Sequence, residues 1–386
     1  MALKTAQRGL IPPFIVMDVM RAANAREAAG EDVLHLEVGQ PGTPAPRGVT
    51  QAVADLVGRE VLGYTDAFGI SALRARIAGH YSATYGVQVP GERVVVTTGS
   101  SGAFVLTFLA AFDVGDRVAL ASPGYPAYRN ILSAFGVEVV ELLVGPESNF
   151  QPTPDIVRAA GPLAGLIIAS PSNPTGTMIH RAELDALVGH CRDNDIRLVS
   201  DEIYHGITYD EAAETALAFT DDAVVINSFS KYFSMTGWRL GWMVVPPDLA
   251  RSVECLAQNL FISPPAISQH AGVAAFDCSE ELEANIAKYR ANRDLLLAEL
   301  PKAGFDDLAS ADGAFYIYAE VSRLTNDSPD FCRRMLAETG IAATPGTDFD
   351  PERGHRYVRF SFAGETEVMA EAATRLGRWI QKSEPG

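Results

Sequence analysis

Between residues 93 and 245, short apolar runs alternate with helix-length stretches, and this alternation restricts the fold more than any other feature of the chain. Aliphatic and β-branched runs occupy 93–98, 117–121, 138–144, 163–169, 197–200, 224–227 and 240–245, while 102–112, 125–135 and 181–193 have helical patterning. A strand that is apolar on both faces must be covered on both. Runs of this kind therefore read as a mostly parallel sheet flanked by helices through right-handed crossovers. The expected architecture is a large α/β domain over residues 47–280 with a mostly parallel seven-stranded sheet. Beyond about residue 280 the pattern changes to a long charged helix at 280–300, the β-rich GAFYIYAEV, a helix at 329–339 and the strand RYVRFSFA. These read as a smaller α+β domain formed by 281–386 and the N-terminal segment 1–46. That segment holds a helix at 13–29, and the sequence alone leaves open which part of the fold it packs on.

Charge and hydropathy exclude several classes of function. The 386 residues contain 31 Lys and Arg against 48 Asp and Glu, a net charge of −17. Nucleic-acid backbones are bound by clustered cations, so no nucleic-acid partner is expected. No apolar run approaches the roughly 20 residues that span a bilayer, so no membrane role is expected. Pro12 and Pro13 interrupt the N-terminal apolar stretch and no cleavage site follows, which reads as a cytoplasmic protein. Cys191, Cys255, Cys278 and Cys332 match neither a zinc nor a redox spacing, so they read as buried, reduced thiols and no metal is expected.

Ligands on open parallel sheets sit beyond the carboxyl ends of the strands. Four polar clusters occupy such positions: GSSG after 93–98, SPSNPTG after 163–169, DEIY after 197–200, and SFSKYFSMTGWRLG after 224–227. The GSSG turn offers N–H groups and hydroxyls at a helix start, where an anion is favoured, and reads equally as an ordinary N-cap. It matches neither the dinucleotide nor the P-loop fingerprint. Asn173 is fixed between two prolines. Asp201 and Glu202 end an apolar strand, so at least one is poorly solvated and needs a cationic partner. Lys231, set among Phe229, Tyr232 and Phe233, would have its ammonium destabilised and become a nucleophile able to form Schiff bases. Arg239 could pair with a phosphate through its planar fork.

With YTDAFGISALR, SNPTG, DEIY, SFSKYFSMTGWRLG and RYVRFSF in this order along the sequence, nearly the whole chain resembles the class I and II aminotransferases, fold type I enzymes that use pyridoxal 5′-phosphate. The resemblance implies that Lys231 forms an aldimine with the cofactor and shuttles a proton, and that Asp201 pairs with the pyridine nitrogen. It implies that Asn173 and Tyr204 hydrogen-bond the phenolate oxygen and that Tyr125 stacks on the ring. Ser100, Ser101, Ser228 and Arg239 would hold the phosphate, with Ser230 as a helper and Tyr64 reaching it across a homodimer interface. Arg359 would bind the substrate α-carboxylate beside Gly39, although the loop here reads Gly-Gln-Pro-Gly where relatives commonly have Gly-Glu-Pro-Asp.

The implied reaction transfers an amino group between an L-α-amino acid and a 2-oxo acid, with glutamate and 2-oxoglutarate as a donor pair by analogy. The alternative on the same scaffold is a C–S lyase acting by β-elimination, or γ-elimination as in cyclopropane-forming relatives. A ligand-sensing regulator would need an added DNA-binding domain, and a nicotinamide dehydrogenase would need the missing glycine fingerprint. No second, side-chain-reading arginine is identified. Phe14 and Ile15 belong to a segment that either closes over the site or packs elsewhere.

Overall fold

The computed structural model describes residues 3–383. Its strands in chain order are β1 Leu34–His35, β2 Val94–Thr97, β3 Arg117–Ser122, β4 Glu138–Leu143, β5 Gly165–Ala169, β6 Arg197–Asp201, β7 Val224–Ser228 and β8 Gly241–Val244, then β9 Asp307–Leu308, β10 Tyr316–Glu320, β11 Ile341–Ala342, β12 Thr344–Pro345 and β13 Tyr357–Ser361. Seven of them form one sheet in the order β2-β8-β7-β6-β5-β3-β4. β3 to β7 run parallel, and β8 is antiparallel to both of its neighbours. The reason is local. The β7 to β8 connection contains only the short turn Thr236–Trp238, and a parallel return would have needed a longer crossover.

Successive side chains of these strands feed two cores. Val94, Val96, Leu166, Ile168, Val225 and Trp242 meet Leu73, Ile77 and Tyr81 of the helix Ser71–Tyr85 and Leu184 and Leu187 of the helix Arg181–Asp193. Val95, Ile167, Val199, Val224, Ile226 and Met243 meet Phe104 and Phe108 of the helix Gly99–Ala111 and Leu249 and Val253 of the helix Pro247–Leu260. Each fully buried aliphatic side chain contributes about 1.5–3 kcal/mol, which is why the runs are apolar throughout rather than alternating. The strands stop one or two residues short of several of the apolar runs, where the chain turns into the loops that carry function.

A second, antiparallel sheet has the order β12-β13-β10-β9 and packs with the helices Ser279–Glu299 and Thr366–Ser383. The N-terminal segment touches both parts of the fold. β1 pairs in parallel with β11, Leu34 opposite Ile341 and His35 opposite Ala342, while the turn Gln7–Gly9 lies against the helix Pro126–Phe135. All four cysteines are free; Cys191, Cys278 and Cys332 are buried as expected, whereas Cys255 is partly exposed. Among the described residues no helix is long and apolar enough to cross a membrane, and no cluster of His, Cys, Asp and Glu could hold a metal.

Candidate active site

The carboxyl ends of β5, β6 and β7 and the facing edge of the second sheet enclose a cavity of about 560 Å³. Gly39, Ser100, Ser101, Tyr125, Asn173, Asp201, Tyr204, Lys231, Arg239 and Arg359 all line it, as does Ser230. Ser228 and Tyr64 do not. The Ser228 hydroxyl is buried behind the wall, 2.8 Å from Ser230 Oγ and donating to Leu240 O at 3.0 Å. Tyr64 stands on the surface, 83% exposed.

Asp201 ends β6 and is buried at the floor of the cavity. Its carboxylate accepts from the Tyr128 hydroxyl and, at 3.1 Å, from the Ile203 N–H. Burial pushes its pKa up to about 6, against the opposing pull of those two donors and of the Lys231 charge. Glu202, buried beside it, finds no cation. Its Oε1 accepts from Ser200 Oγ, Thr215 Oγ1 and Ala216 N, and burial pushes its pKa up to about 8. The neighbouring His205 is itself pushed down to about 3 by burial and stays neutral, so among the described residues neither carboxylate has the expected cationic partner in contact, and the Lys231 charge acts on Asp201 only as a weaker, longer-range influence.

Lys231 sits just beyond β7, and its Nζ donates to Gly39 O at 2.6 Å while lying 5.8 Å from the centre of the Tyr204 ring. Its surface is partly open to the cavity, yet the amine is deep enough that burial, together with the Arg359 and Arg239 charges, lowers its pKa to about 8. A lysine in this state is nucleophilic near neutral pH.

At one end of the cavity the helix Gly99–Ala111 presents its first-turn N–H groups beside Ser100, Ser101, Ser230, Thr236 and Arg239. Gly99 has φ +70°, and a Cβ there would stand 2.6 Å from Arg239 Nη2, so only glycine lets the guanidinium lie over this backbone. Cation, hydroxyls and helix N-terminus together suit a dianionic phosphate.

At the other end lies Arg359 on β13. Its Nη1 donates to Asn173 Oδ1 at 2.7 Å, and its Nη2 donates to Glu37 O and, at 3.3 Å, to Thr344 Oγ1. The guanidinium lies 4.4 Å from the Tyr316 ring centre and 4.7 Å from that of Phe349. Its Nε is buried without a partner. A Cβ at Gly39 would stand 1.9 Å from the Tyr316 hydroxyl, and that hydroxyl shares a 2.6 Å hydrogen bond with Tyr204.

Tyr128 and Tyr316 are contributors that the motifs did not single out, as are Val16 and Met17. Tyr128 lies one helical turn beyond Tyr125, an i, i+3 spacing that places both on one side of the helix Pro126–Phe135. Tyr316 lies two residues from Tyr318, which opposes Arg359 in the antiparallel pair β10 and β13, so a diagonal cross-strand contact brings its ring under the guanidinium.

A family model described as aminotransferase class I and II matches residues 31–376. The chain belongs to the class I and II aminotransferases. As a member of that family it is an enzyme, a transaminase, in agreement with the motif order. A valine–pyruvate aminotransferase of Mycobacterium tuberculosis is 50% identical, the match covering 98% of each chain. The crystal structure of an aminotransferase from M. tuberculosis superposes with a TM-score of 0.97 at 50% identity, covering 99% of this chain and 100% of that one. An aspartate aminotransferase from Thermus thermophilus, solved with maleate, superposes with a TM-score of 0.92 at 31% identity, covering 98% and 100%. These likenesses extend over both sheets, so the aminotransferase fold is shared throughout.

Proposed function

We propose that this aminotransferase uses pyridoxal 5′-phosphate to move the amino group between an L-α-amino acid with an apolar side chain and a small 2-oxo acid such as pyruvate. The observation that carries the reading is the lowered-pKa amine of Lys231 sharing one cavity with the buried Asp201 carboxylate and with Arg359, whose Nε has no partner.

The donor set fits the cofactor. Ser100, Ser101, Ser230 and Arg239 would hold its phosphate with Ser228 supporting Ser230, Tyr125 would stack on its ring, and Asn173 and Tyr204 would hydrogen-bond its phenolate oxygen. When bound, pyridoxal phosphate supplies an aldehyde for amines and a ring that delocalises the electron pair left when the substrate Cα–H bond breaks. Asp201 holds a proton at the ring nitrogen, and its burial makes a cationic partner there favourable. Lys231 Nζ takes the proton from the substrate Cα and returns one to the carbon that receives the nitrogen, a task suited to an amine whose pKa lies near the working pH. Arg359 binds the α-carboxylate through its fork, and Gly39 leaves room for that carboxylate next to backbone.

The apolar preference rests on the rest of the lining. Among the described residues the cations lining the cavity are Lys231, Arg239 and Arg359, which serve the proton transfer, the phosphate and the α-carboxylate, while Phe14, Val16, Met17 and Val38 form an apolar wall. The valine–pyruvate activity of the M. tuberculosis relative points the same way. The test is to load the purified protein with pyridoxal phosphate and assay amino acids singly with pyruvate. Valine and similar substrates are expected to yield alanine and the matching 2-oxo acid, with aspartate at least about tenfold poorer in kcat/KM. Release of pyruvate or ammonia from a sulfur amino acid without amino transfer would instead establish the C–S lyase. Arg359→Lys should raise KM for the amino acid by roughly 10- to 100-fold in the same assay with a smaller change in kcat, because one charge-assisted bond of about 1.5–3 kcal/mol is lost with the planar fork.

The protein is further proposed to act as a cytoplasmic homodimer. Ser101 and Arg239 are exposed in a single chain, beside a second open cavity of about 650 Å³ lined by Gln40, Thr236, Trp238 and Pro265. Tyr64 is exposed, as are the apolar Val57, Val61, Leu260 and Ile262, side chains that a second copy could cover. The free thiols suit a reducing compartment. Tyr64→Phe should sediment as the same dimer yet bind pyridoxal phosphate about tenfold more weakly in equilibrium titration, from loss of one bond to a charged phosphate. Monomeric sedimentation of the wild type would refute the shared site.

A further inference from the structure

We infer that Asp348 is a positioning residue that pins the first turn of the helix Ile15–Ala28 over the cavity, so that Phe14 and Val16 wall the pocket for the substrate side chain. The inference rests on the reading of the protein as a transaminase of apolar amino acids and names a determinant of that preference.

The helix lacks a cap of its own. Phe14 occupies the N-cap position and makes no side-chain bond to the first turn. The cap comes from far along the chain instead: Asp348 Oδ1 accepts from the Ile15 N–H at 3.0 Å and Oδ2 from the Val16 N–H at 3.1 Å. Two of the N–H groups that every helix start leaves unpaired are thus satisfied by one anion placed where the helix dipole favours it. Further along, Ala23 and Val19 pack with Leu336 and Ala342 and Arg26 Nη2 donates to Ala337 O at 3.3 Å, so the clamp bears on the first turn in particular.

The clamp is mounted on the element that binds the substrate carboxylate. Asp348 closes the turn Gly346–Asp348, which directly follows β12, and β12 pairs with β13 through Thr344 opposite Arg359. Phe349, the next residue, packs its ring 4.7 Å from the Arg359 guanidinium, and Arg129 Nη2 donates to Asp348 O at 2.6 Å. Asp348 is 1% exposed, and burial raises its pKa from the usual carboxylate range against the pull of the two N–H groups, Arg359 and Arg129. Among the described residues Asp348 makes no ion pair, so the two N–H groups that it caps are what its buried carboxylate serves. What it holds faces the site: Phe14, Val16 and Met17 line the cavity, and the Phe14 ring meets Tyr125 edge-on at 5.7 Å.

The test compares valine with alanine, whose methyl group is too short to reach the wall, in wild type, Asp348→Ala, Asp348→Asn and Phe14→Ala. Each is followed in the half-reaction of the loaded enzyme with the amino acid alone, because alanine and pyruvate give no net reaction. Loss of the clamp should raise KM for valine about tenfold in Asp348→Ala, with Asp348→Asn intermediate, KM for alanine nearly unchanged and kcat within about twofold. Phe14→Ala should reproduce the valine effect, and the double variant should fall well short of the product of the two, because both act through one wall. Independently of turnover, trypsin should cut Asp348→Ala faster at Arg21 and Arg26, on the released helix. An unchanged valine-to-alanine preference in Asp348→Asn and Asp348→Ala, or an equal loss for both substrates, would overturn the inference while leaving the transaminase intact. Absence of any amino transfer in wild type would overturn the functional reading instead, and the trypsin comparison would still decide whether Asp348 pins the helix.

Discussion

Lys231→Met lowers the rate of amino transfer by about 10⁴-fold or more in steady-state assays while leaving a folded protein. The size of the loss follows from the absence of a substitute. No histidine is among the residues lining the cavity, the Tyr204 hydroxyl is pushed well above its ordinary pKa by burial, and Asp201 lies at the floor, engaged with Tyr128. Lys231 is therefore the group that can both capture an aldehyde and carry a proton near neutral pH. Methionine keeps the aliphatic length and removes the amine, which separates chemistry from folding. The amine's pKa falls from 10.5 to about 8 in the folded chain. Between those values the unfolded chain binds the extra proton, so the penalty of burying the charge is complete below pH 8 and is relieved as pH rises through 10.5. Denaturation of the cofactor-free proteins should accordingly favour Lys231→Met at pH 7, with the advantage shrinking toward pH 10.5. A residual rate within tenfold of wild type would remove Lys231 from the mechanism.

Asp201→Asn is expected to reduce kcat by roughly 10²- to 10⁴-fold with a much smaller effect on KM for the amino acid. The amide occupies the same space and can still accept one of the two hydrogen bonds, yet it cannot hold a proton at a ring nitrogen through an opposite charge. Its stability effect has the opposite pH course to that of Lys231. The carboxyl pKa rises from 3.8 to about 6 on folding, so the folded chain binds the extra proton between these values. The cost of the buried charge is absent below pH 3.8, grows through the window and is complete above pH 6. Cofactor-free Asp201→Asn should thus be more stable than wild type at pH 7 and no more stable at pH 3.5, as read by chemical denaturation. A variant with unchanged kcat would show that the buried carboxylate is structural.

Much of this was legible because the large sheet is covered on both faces. Its strands are continuous apolar runs, and polar residues collect where those runs end, which is why Asn173, Asp201 and Lys231 stand out in the sequence. Arg359 was legible only through the order of motifs, since its strand belongs to the other sheet. What escaped notice has a common cause. Tyr128 and Tyr316 look like core aromatics, and their hydroxyls matter only because β6 and β13 bring Asp201 and Arg359 to them. Gly39, picked out by its loop motif, owes its place to a close approach to Tyr316 that a Cβ would forbid. The reversed direction of β8 was implicit in the missing crossover helix after β7. The seat of the N-terminal segment was not, because a two-residue strand such as β1 carries too little pattern to name its partner.

That pairing of β1 with β11 has a consequence for how the enzyme is made. Leu34 must wait for Ile341 to emerge. At about 5–20 residues per second the delay is roughly 15 to 60 s, during which the strands between residues 94 and 244 are already free to assemble on the ribosome. The nascent chain can therefore place Lys231 and Asp201 at the edge of a half-built pocket well before Arg359 and the turn that carries Asp348 exist. The residues proposed to select the substrate are thus the last to be brought together.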